Sequence, residues 1–398
     1  MISTMLRLAG LLGGLIYPLV PLAAQSVLDL SLREVLDVTM QRSAELAPPD
    51  LTPQYASSSW LAALPTVGLS YLQSDEKLGT DETELSVNLR LKSGRQREID
   101  RELQSLSDEI AAADELRRRL YWSGLIREAI WSHRAALSRQ QAAERKVALL
   151  SALEARQREM LAASATSSYG LLLIRQERLH AEIAQLEHRH DAQRWLQHYR
   201  QITGLGNLPR EIAEPAPAGV EAALARHPQL VRLELGWRQQ RTLLASVGQK
   251  ATPWNLSLHA KQLDNPALDE QQLGVAIEVP LTVFDIETAP VNSEWQEQAR
   301  QYWTARDELT VEIRRRWEAL NSEAAMLREK ETLLRESSAV GESMAKQSEQ
   351  LKTLNELGEE IALRRRMDAI DIESAAALNR VLLEQNNAML RQAAGMPL

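Results

Sequence analysis

The chain repeats itself, and that constrains its fold more than any motif in it. Around Arg42 it reads Arg-Ser-Ala-Glu-Leu, and 184 residues later, around Arg226, it reads Arg-His-Pro-Gln-Leu. Pro65 matches Pro253 at a spacing of 188, and the alternating run Leu85, Val87, Leu89, Leu91 falls on Leu273, Val275, Ile277, Val279 at the same 188. Farther on, Glu115-Leu-Arg-Arg-Arg119 matches Glu312-Ile-Arg-Arg-Arg316 at 197, and Gly204 matches Gly395 at 191. Chance matches do not stay collinear; two copies separated by changes in loop length do. The copies span 25–208 and 209–398, behind an N-terminal leader.

Each copy is expected to contain a short helix, two alternating segments, one very long helix and a returning helix. The alternating segments are Pro65 to Ser74 and Thr83 to Lys92, then Pro253 to Leu263 and Gln271 to Leu281. Each is about ten residues long, the length of a tilted transmembrane β-strand. Period-two alternation gives the segments two faces. One carries Val67, Leu69, Tyr71, Leu85, Val87, Leu89, Leu256, Leu258, Val275 and Ile277. The other carries Thr66, Ser70, Glu84, Ser86, Asn88, Arg90, Asn255, Ser257, His259, Lys261 and Glu278. Charges in mid-strand suit a wet lumen, whereas the alternative, four half-buried strands of a soluble sheet, would have to accommodate them against a core. Glu84, Asn88, Arg90, His259, Lys261 and Glu278 are the candidate lumen residues. The polar stretches Gln73 to Glu82 and Gln262 to Glu270 read as exposed hairpin loops.

Between Arg95 and Leu161, and between Asn292 and Leu357, no proline interrupts the chain. Apolar residues recur there at three and four: Leu103, Leu106, Ile110, Leu116, Leu120, then Leu309, Ile313, Trp317, Leu320. That is the stripe of a helix packed on neighbours, with Trp122, Trp131, Trp195 and Trp317 filling helix contacts. At 1.5 Å per residue each helix would be roughly 100 Å long. The composition agrees: of 398 residues only one is Phe and 4% are aromatic, which favours long helices over compact globules. A net charge of -8, well interspersed, gives no footprint for nucleic acid. The lack of any Cys excludes disulfides, thiolate metal sites and a lipidated N-terminal cysteine.

At the N-terminus Arg7 precedes an apolar run from Leu8 to Val20, with Ala23 and Ala24 just before Gln25. This reads as a signal peptide over 1–24, an uncleaved anchor helix being the alternative. Export and four strands together carry a further consequence. Single-chain outer-membrane barrels begin at about eight strands, and an open edge in lipid leaves backbone groups unpaired. The chain must therefore oligomerise, and the pattern does not choose between two copies and three.

These features, with the closing steps Thr203-Gly204 and Ala394-Gly395, the phrase Leu357-Gly358-Glu359 before Ile361-Ala362-Leu363, and Leu171-Leu-Leu-Ile-Arg-Gln176, make the chain similar to the TolC-like outer-membrane factors. The resemblance covers almost all of the mature chain. It implies a mainly α fold with a β-hairpin pair, assembled as a homotrimer. A twelve-stranded β-barrel, four strands per chain, would sit in outer-membrane lipid and continue into a long α-helical periplasmic tunnel. The partners implied are a periplasmic membrane-fusion adaptor and an inner-membrane pump of the resistance-nodulation-division (RND) or ABC type. The chain would be a passive duct with no cofactor and no catalysis. Overall likeness leans to an RND-type pump for small solutes, drugs or metal cations. A soluble periplasmic helical scaffold and the duct of a type I protein secretion system are the alternatives.

The repeat alignment places two helical tips, Ala162 to Ser168 and Leu357 to Leu363. Ala163, Ser164, Thr166, Ser167, Leu357, Gly358 and Ile361 are the candidates for adaptor docking. The family's acidic pore ring, carried over, falls on Asp368 and Asp371, with Glu359, Glu360 and Arg364 as further gate candidates. The run Arg364-Arg365-Arg366 departs from the family pattern, and pairing with it would remove the ring. The arginine triplets at 117–119 and 314–316 are expected to form interhelical salt-bridge faces. Glu177 and His180 stand three apart, with Glu187, His188 and His190 beyond, but copy two lacks the pair, and a helix-borne di-metal site needs it twice. No phosphate loop or nucleophile-base-orienter set appears.

Overall fold

The computed structural model describes residues 30–46, 57–163, 168–247, 253–280, 289–353 and 359–398. The expected signal peptide lies outside them. The elements in chain order are α1 (Leu32–Glu45), β1 (Thr66–Leu72), β2 (Asp81–Leu91), α2 (Gly94–Ala162), α3 (Ser168–Thr203), α4 (Glu221–Leu224), α5 (Pro228–Val247), β3 (Trp254–Asn265), β4 (Leu268–Glu278), α6 (Ala289–Thr353) and α7 (Glu359–Ala393).

The four strands form one antiparallel sheet in the order β1-β2-β3-β4. The β2–β3 ladder joins the two copies, and the outer edges of β1 and β4 pair with nothing among the described residues. Its register aligns Leu85 with Ala260, Val87 with Leu258 and Leu89 with Leu256 on one face, and Glu84 with Lys261, Ser86 with His259 and Asn88 with Ser257 on the other. The second hairpin differs from expectation, because the ladder runs on to Asn265 opposite Leu268 and leaves only Pro266 and Ala267 in the turn. Alternation inverts there: Leu263 falls on the polar side, while Gln262 and Asp264 fall on the apolar side, so hydrophobic patterning gives no sign of the strand. Local hydrogen bonds hold the turn instead. Asn265 Oδ1 accepts from the Ala267 amide at 3.0 Å, and its Nδ2 donates to Thr80 Oγ1 at 3.0 Å.

The helix α2 opens on a capping box, Ser93 Oγ accepting from the Gln96 amide and Gln96 Oε1 from the Ser93 amide, which satisfies two of the orphan donors at its start. Its 69 residues and the 65 of α6 are the two expected rods, each about 100 Å long. On one side α2 packs along α3, and on the other along α5 and α7; α6 packs along α7 and α5. Both return helices end at a left-handed glycine, Gly204 at φ 76° and Gly395 at φ 71°, where only glycine avoids a Cβ penalty. Each glycine abuts its own copy's opening segment. A Cβ on Gly204 would reach 2.5 Å from Arg42 Nη1, and one on Gly395 would reach 2.6 Å from the His227 ring.

The copies also differ. By the repeat spacing, the 20-residue α5 corresponds to the stretch just after α1. In copy one α1 ends at Glu45 and residues 57–59 are non-helical. The intervening sequence, outside the described residues, carries Pro48, Pro49 and Pro53. The slip from 184 to 188 across this region marks the same difference.

Where the short elements cross the long helices lies the main core: Val35, Leu36 and Met40 of α1, Ile126, Ala129, Ile130 and Trp131 of α2, Tyr199 of α3, Ile212 and Ala388. A buried ionic cluster stands beside it. Arg127, 1% exposed, donates from Nε and Nη2 to Glu214 at 2.8 and 2.6 Å, and from Nη1 to Gln392 Oε1 and Met396 O. Arg391 Nε reaches the same Glu214 at 3.0 Å. The long helix of copy one is thereby tied to the C-terminus of copy two.

Candidate channel wall and helical tips

The sheet supplies the upper end of the candidate channel. Its apolar face is left to the surroundings: Leu69 is 76% exposed, Leu273 90%, Val275 69% and Ile277 66%. The polar face is knitted across the β2–β3 ladder. His259 Nδ1 lies 2.7 Å from Glu84 Oε1, Lys261 Nζ lies 2.6 Å from Glu82 Oε2, and Ser257 Oγ donates to Asn88 Oδ1 at 2.6 Å. Asn255 Nδ2 donates to Glu278 at 3.4 Å, and Arg90 is exposed. All six expected lumen residues thus share one face, and Glu82, which had been placed in a loop, joins them. Aromatic residues stand at both ends of the sheet. Trp254 pairs with Leu91, and the Trp60 carbonyl accepts from the Lys92 amide at the helical end; Tyr71 lies near the turns, its hydroxyl donating to Asp81 at 3.2 Å.

At the opposite end the α2–α3 hairpin is pinned near its tip by Glu154, which is 4% exposed. It accepts from Arg178 Nε at 2.6 Å and also contacts Arg158. Burial pushes this carboxyl up, and the hydrogen bond from Arg178 with the charges of Arg158 and Arg178 more than reverses it, leaving its pKa below the usual carboxylate value. Leu150, Ile174 and Ala181 pack beneath, with Met367 of α7 against them. Of the expected docking residues, Ala163 caps α2 and Ile361 is half exposed in α7. Ser164, Thr166, Ser167, Leu357 and Gly358 lie outside the described residues.

The gate candidates are held by basic partners. Asp371 Oδ1 lies 2.5 Å from Lys146 Nζ of α2, and Asp368 Oδ2 lies 3.4 Å from Arg365 Nη1. Two residues on, Glu373 faces Arg145 at 3.5 Å. Asp371 therefore bridges the two copies, while Asp368 is engaged by the arginine run. Arg364 is exposed, and Glu359 and Glu360 open α7. Among the described residues no three His, Asp or Glu groups gather as a metal site, and no helix is long and apolar enough to cross a membrane.

No protein-family model and no curated protein matches the sequence. Solved structures do match the fold. The outer-membrane channel OprN aligns at a TM-score of 0.60 over 92% of this chain and 89% of its own, at 13% identity. The open state of the MtrE outer-membrane channel of Neisseria gonorrhoeae gives the same figures, and the outer-membrane protein VceC of Vibrio cholerae aligns at 0.59 over 92% of each chain, also at 13% identity. The chain has the fold of the TolC-like outer-membrane channels, with four strands and a long helical bundle in each polypeptide.

Proposed function

We propose that three copies of this chain form an outer-membrane duct, the exit component of a tripartite efflux system. The observation that carries this reading is the open sheet. Its β1 and β4 edges are unpaired among the described residues, one face is apolar and exposed, and the other is polar and charged. Four strands of this kind satisfy their backbone in lipid only by closing with other copies. The number three is carried over from the channels whose fold it shares. Tyr71 at one end of the sheet and Trp60 and Trp254 at the other are separated by about eight residues of strand, roughly 26 Å along it, which at a tilt near 40° spans about 20 Å of height, most of an apolar band about 25 Å tall with aromatic girdles.

The helices then project into the periplasm, where the tips around Ala163 and Ile361 meet a membrane-fusion adaptor linked to an inner-membrane pump, of the RND type on overall likeness. The duct itself moves no proton and hydrolyses nothing. Closure at the tips is ascribed to the Lys146–Asp371 bridge together with Asp368 and the Arg364–Arg366 run. Membrane fractionation and gel analysis test the assignment: a heat-sensitive trimer in the outer membrane is expected, and a soluble monomer would overturn it in favour of a periplasmic scaffold.

A further inference from the structure

One concave surface is not accounted for by packing, by the strands or by the tips. It is a groove of about 760 Å³ at mid-length, lined by Arg117, Arg118 and Tyr121 of α2, Gln385 of α7, Gln229 of α5 and Arg316 of α6, with Glu128 as its acid. On α2 the residues facing α1 are Ile126, Ala129 and Ile130. Arg117, Tyr121, Glu128 and Ser132 recur at three and four on the opposite side of the helix. The groove thus crosses the wall formed by α2, the α7–α5 junction and α6, on the side away from α1. We rest this inference on the duct assembly and take that side as its lumen.

The arginine triplets of the two copies divide their roles here. Arg119 pairs outward with Asp37 at 2.6 Å, Arg314 with Glu221 at 3.2 Å and Arg315 with Glu312 at 2.8 Å. The three that line the groove are less well neutralised. Arg117 lies 3.2 Å from Asp114, but Asp114 also takes Arg232 at 3.0 Å. Arg118 is 3.9 Å from Glu115, and Arg316 has no ion-pair partner among the described residues. Three guanidiniums thus face one groove carboxylate in each chain. In the barrel above, by contrast, Lys261 is matched by Glu82 and His259 by Glu84.

We propose that this groove is the charge-discriminating belt of the duct, and that it favours anionic solutes over cations. Symmetry sets the same arginines around one level of the tunnel. A ring of like charge in a low-dielectric wall concentrates counter-ions and repels co-ions. Arginine suits this task because its planar fork takes carboxylate and phosphate bidentately and stays charged at all working pH. Anionic cargo, bearing carboxylate or phosphate groups, is therefore expected to pass more readily than metal cations.

The test is the reversal potential of purified trimers in planar bilayers under a KCl gradient, at low ionic strength where screening is weakest. The wild type is expected to prefer chloride. The triple variant Arg117→Gln, Arg118→Gln, Arg316→Gln should lower the chloride-to-potassium permeability ratio several-fold, and Glu128→Gln should raise it. A wild type that prefers potassium, or permeability ratios that do not move in these opposite directions, would overturn the belt while leaving the duct intact. Trimers that never conduct would sink the duct reading and the belt with it. Retention of the heat-sensitive trimer band in each variant separates lost charge from lost assembly.

Discussion

Arg127 and Glu214 meet through two parallel hydrogen bonds of 2.8 and 2.6 Å, with side chains 1% and 8% exposed. Glu214→Ala strands the buried Arg127 guanidinium and is expected to destabilise the chain by about 3–5 kcal/mol, whereas Arg127→Ala, which leaves Glu214 its bond from Arg391, should cost less, and Arg127→Met with Glu214→Leu should be milder than the Glu214 change alone. Urea unfolding of the detergent-solubilised protein reads the difference, and additive losses in the double variant would argue against coupling.

His227 is 3% exposed, and its Nδ1 finds no hydrogen-bond partner. Burial pushes its pKa down to about 4 from an ordinary 6.5. The folded state therefore prefers the neutral ring. Its contribution is fully present above about pH 6.5 and is lost as pH falls towards 4, by up to about 3 kcal/mol per chain. His227→Leu should flatten the stability profile across that window; an unchanged slope would assign the acid sensitivity elsewhere.

The two left-handed glycines should respond unequally to alanine. Both substitutions force a side chain into a conformation costing about 1–2 kcal/mol. At Gly204 the intruding Cβ meets the far end of Arg42, which can move. At Gly395 it meets the His227 ring and Pro228 Cδ at 2.8 Å, which cannot move as freely. Gly395→Ala should thus lower the thermal midpoint clearly more than Gly204→Ala, as differential scanning calorimetry would show.

On the sheet, Val275→Arg places a charge on the exposed apolar face and should cost about 2–4 kcal/mol at the bilayer midplane. Gln272→Arg, on the other face and opposite Lys261, should be tolerated better. The yield of heat-sensitive trimer in outer-membrane fractions distinguishes them, and equal yields would speak against lipid on that face.

At the tips, Asp371→Asn removes the negative charge that Lys146 holds at 2.5 Å and should raise conductance by weakening the contact between copies. Asp368→Asn with Asp371→Asn should also weaken block by divalent cations. Block that stays unchanged would leave the acidic ring without support.

Much of this architecture is legible in the sequence because it depends on period and spacing. Leu85 to Leu91 and Leu273 to Val279 alternate strictly, so the faces of the sheet follow from the residues alone, and the proline-free stretches mark α2 and α6. Asn265 and Leu268 escape such reading because their pairing rests on backbone and amide hydrogen bonds at a point where alternation inverts. The Arg127–Glu214–Arg391 cluster is hidden for another reason. Its members are far apart in sequence, and one arginine among many carries no mark of burial until the elements cross. The arginine triplets are legible as interhelical salt-bridge faces, and Arg119 and Arg314 are so used, while Arg315 pairs within α6 with Glu312; that Arg117, Arg118 and Arg316 share a groove depends on how α2, α5, α6 and α7 stand side by side.

The turn between β3 and β4 is two residues long, Pro266 and Ala267, against eight residues, 73 to 80, between β1 and β2. In the proposed barrel these turns form the rim that faces the outside world. Such a rim has low relief, three stubs alternating with three modest loops, and it offers antibodies and phage adhesins little to grip.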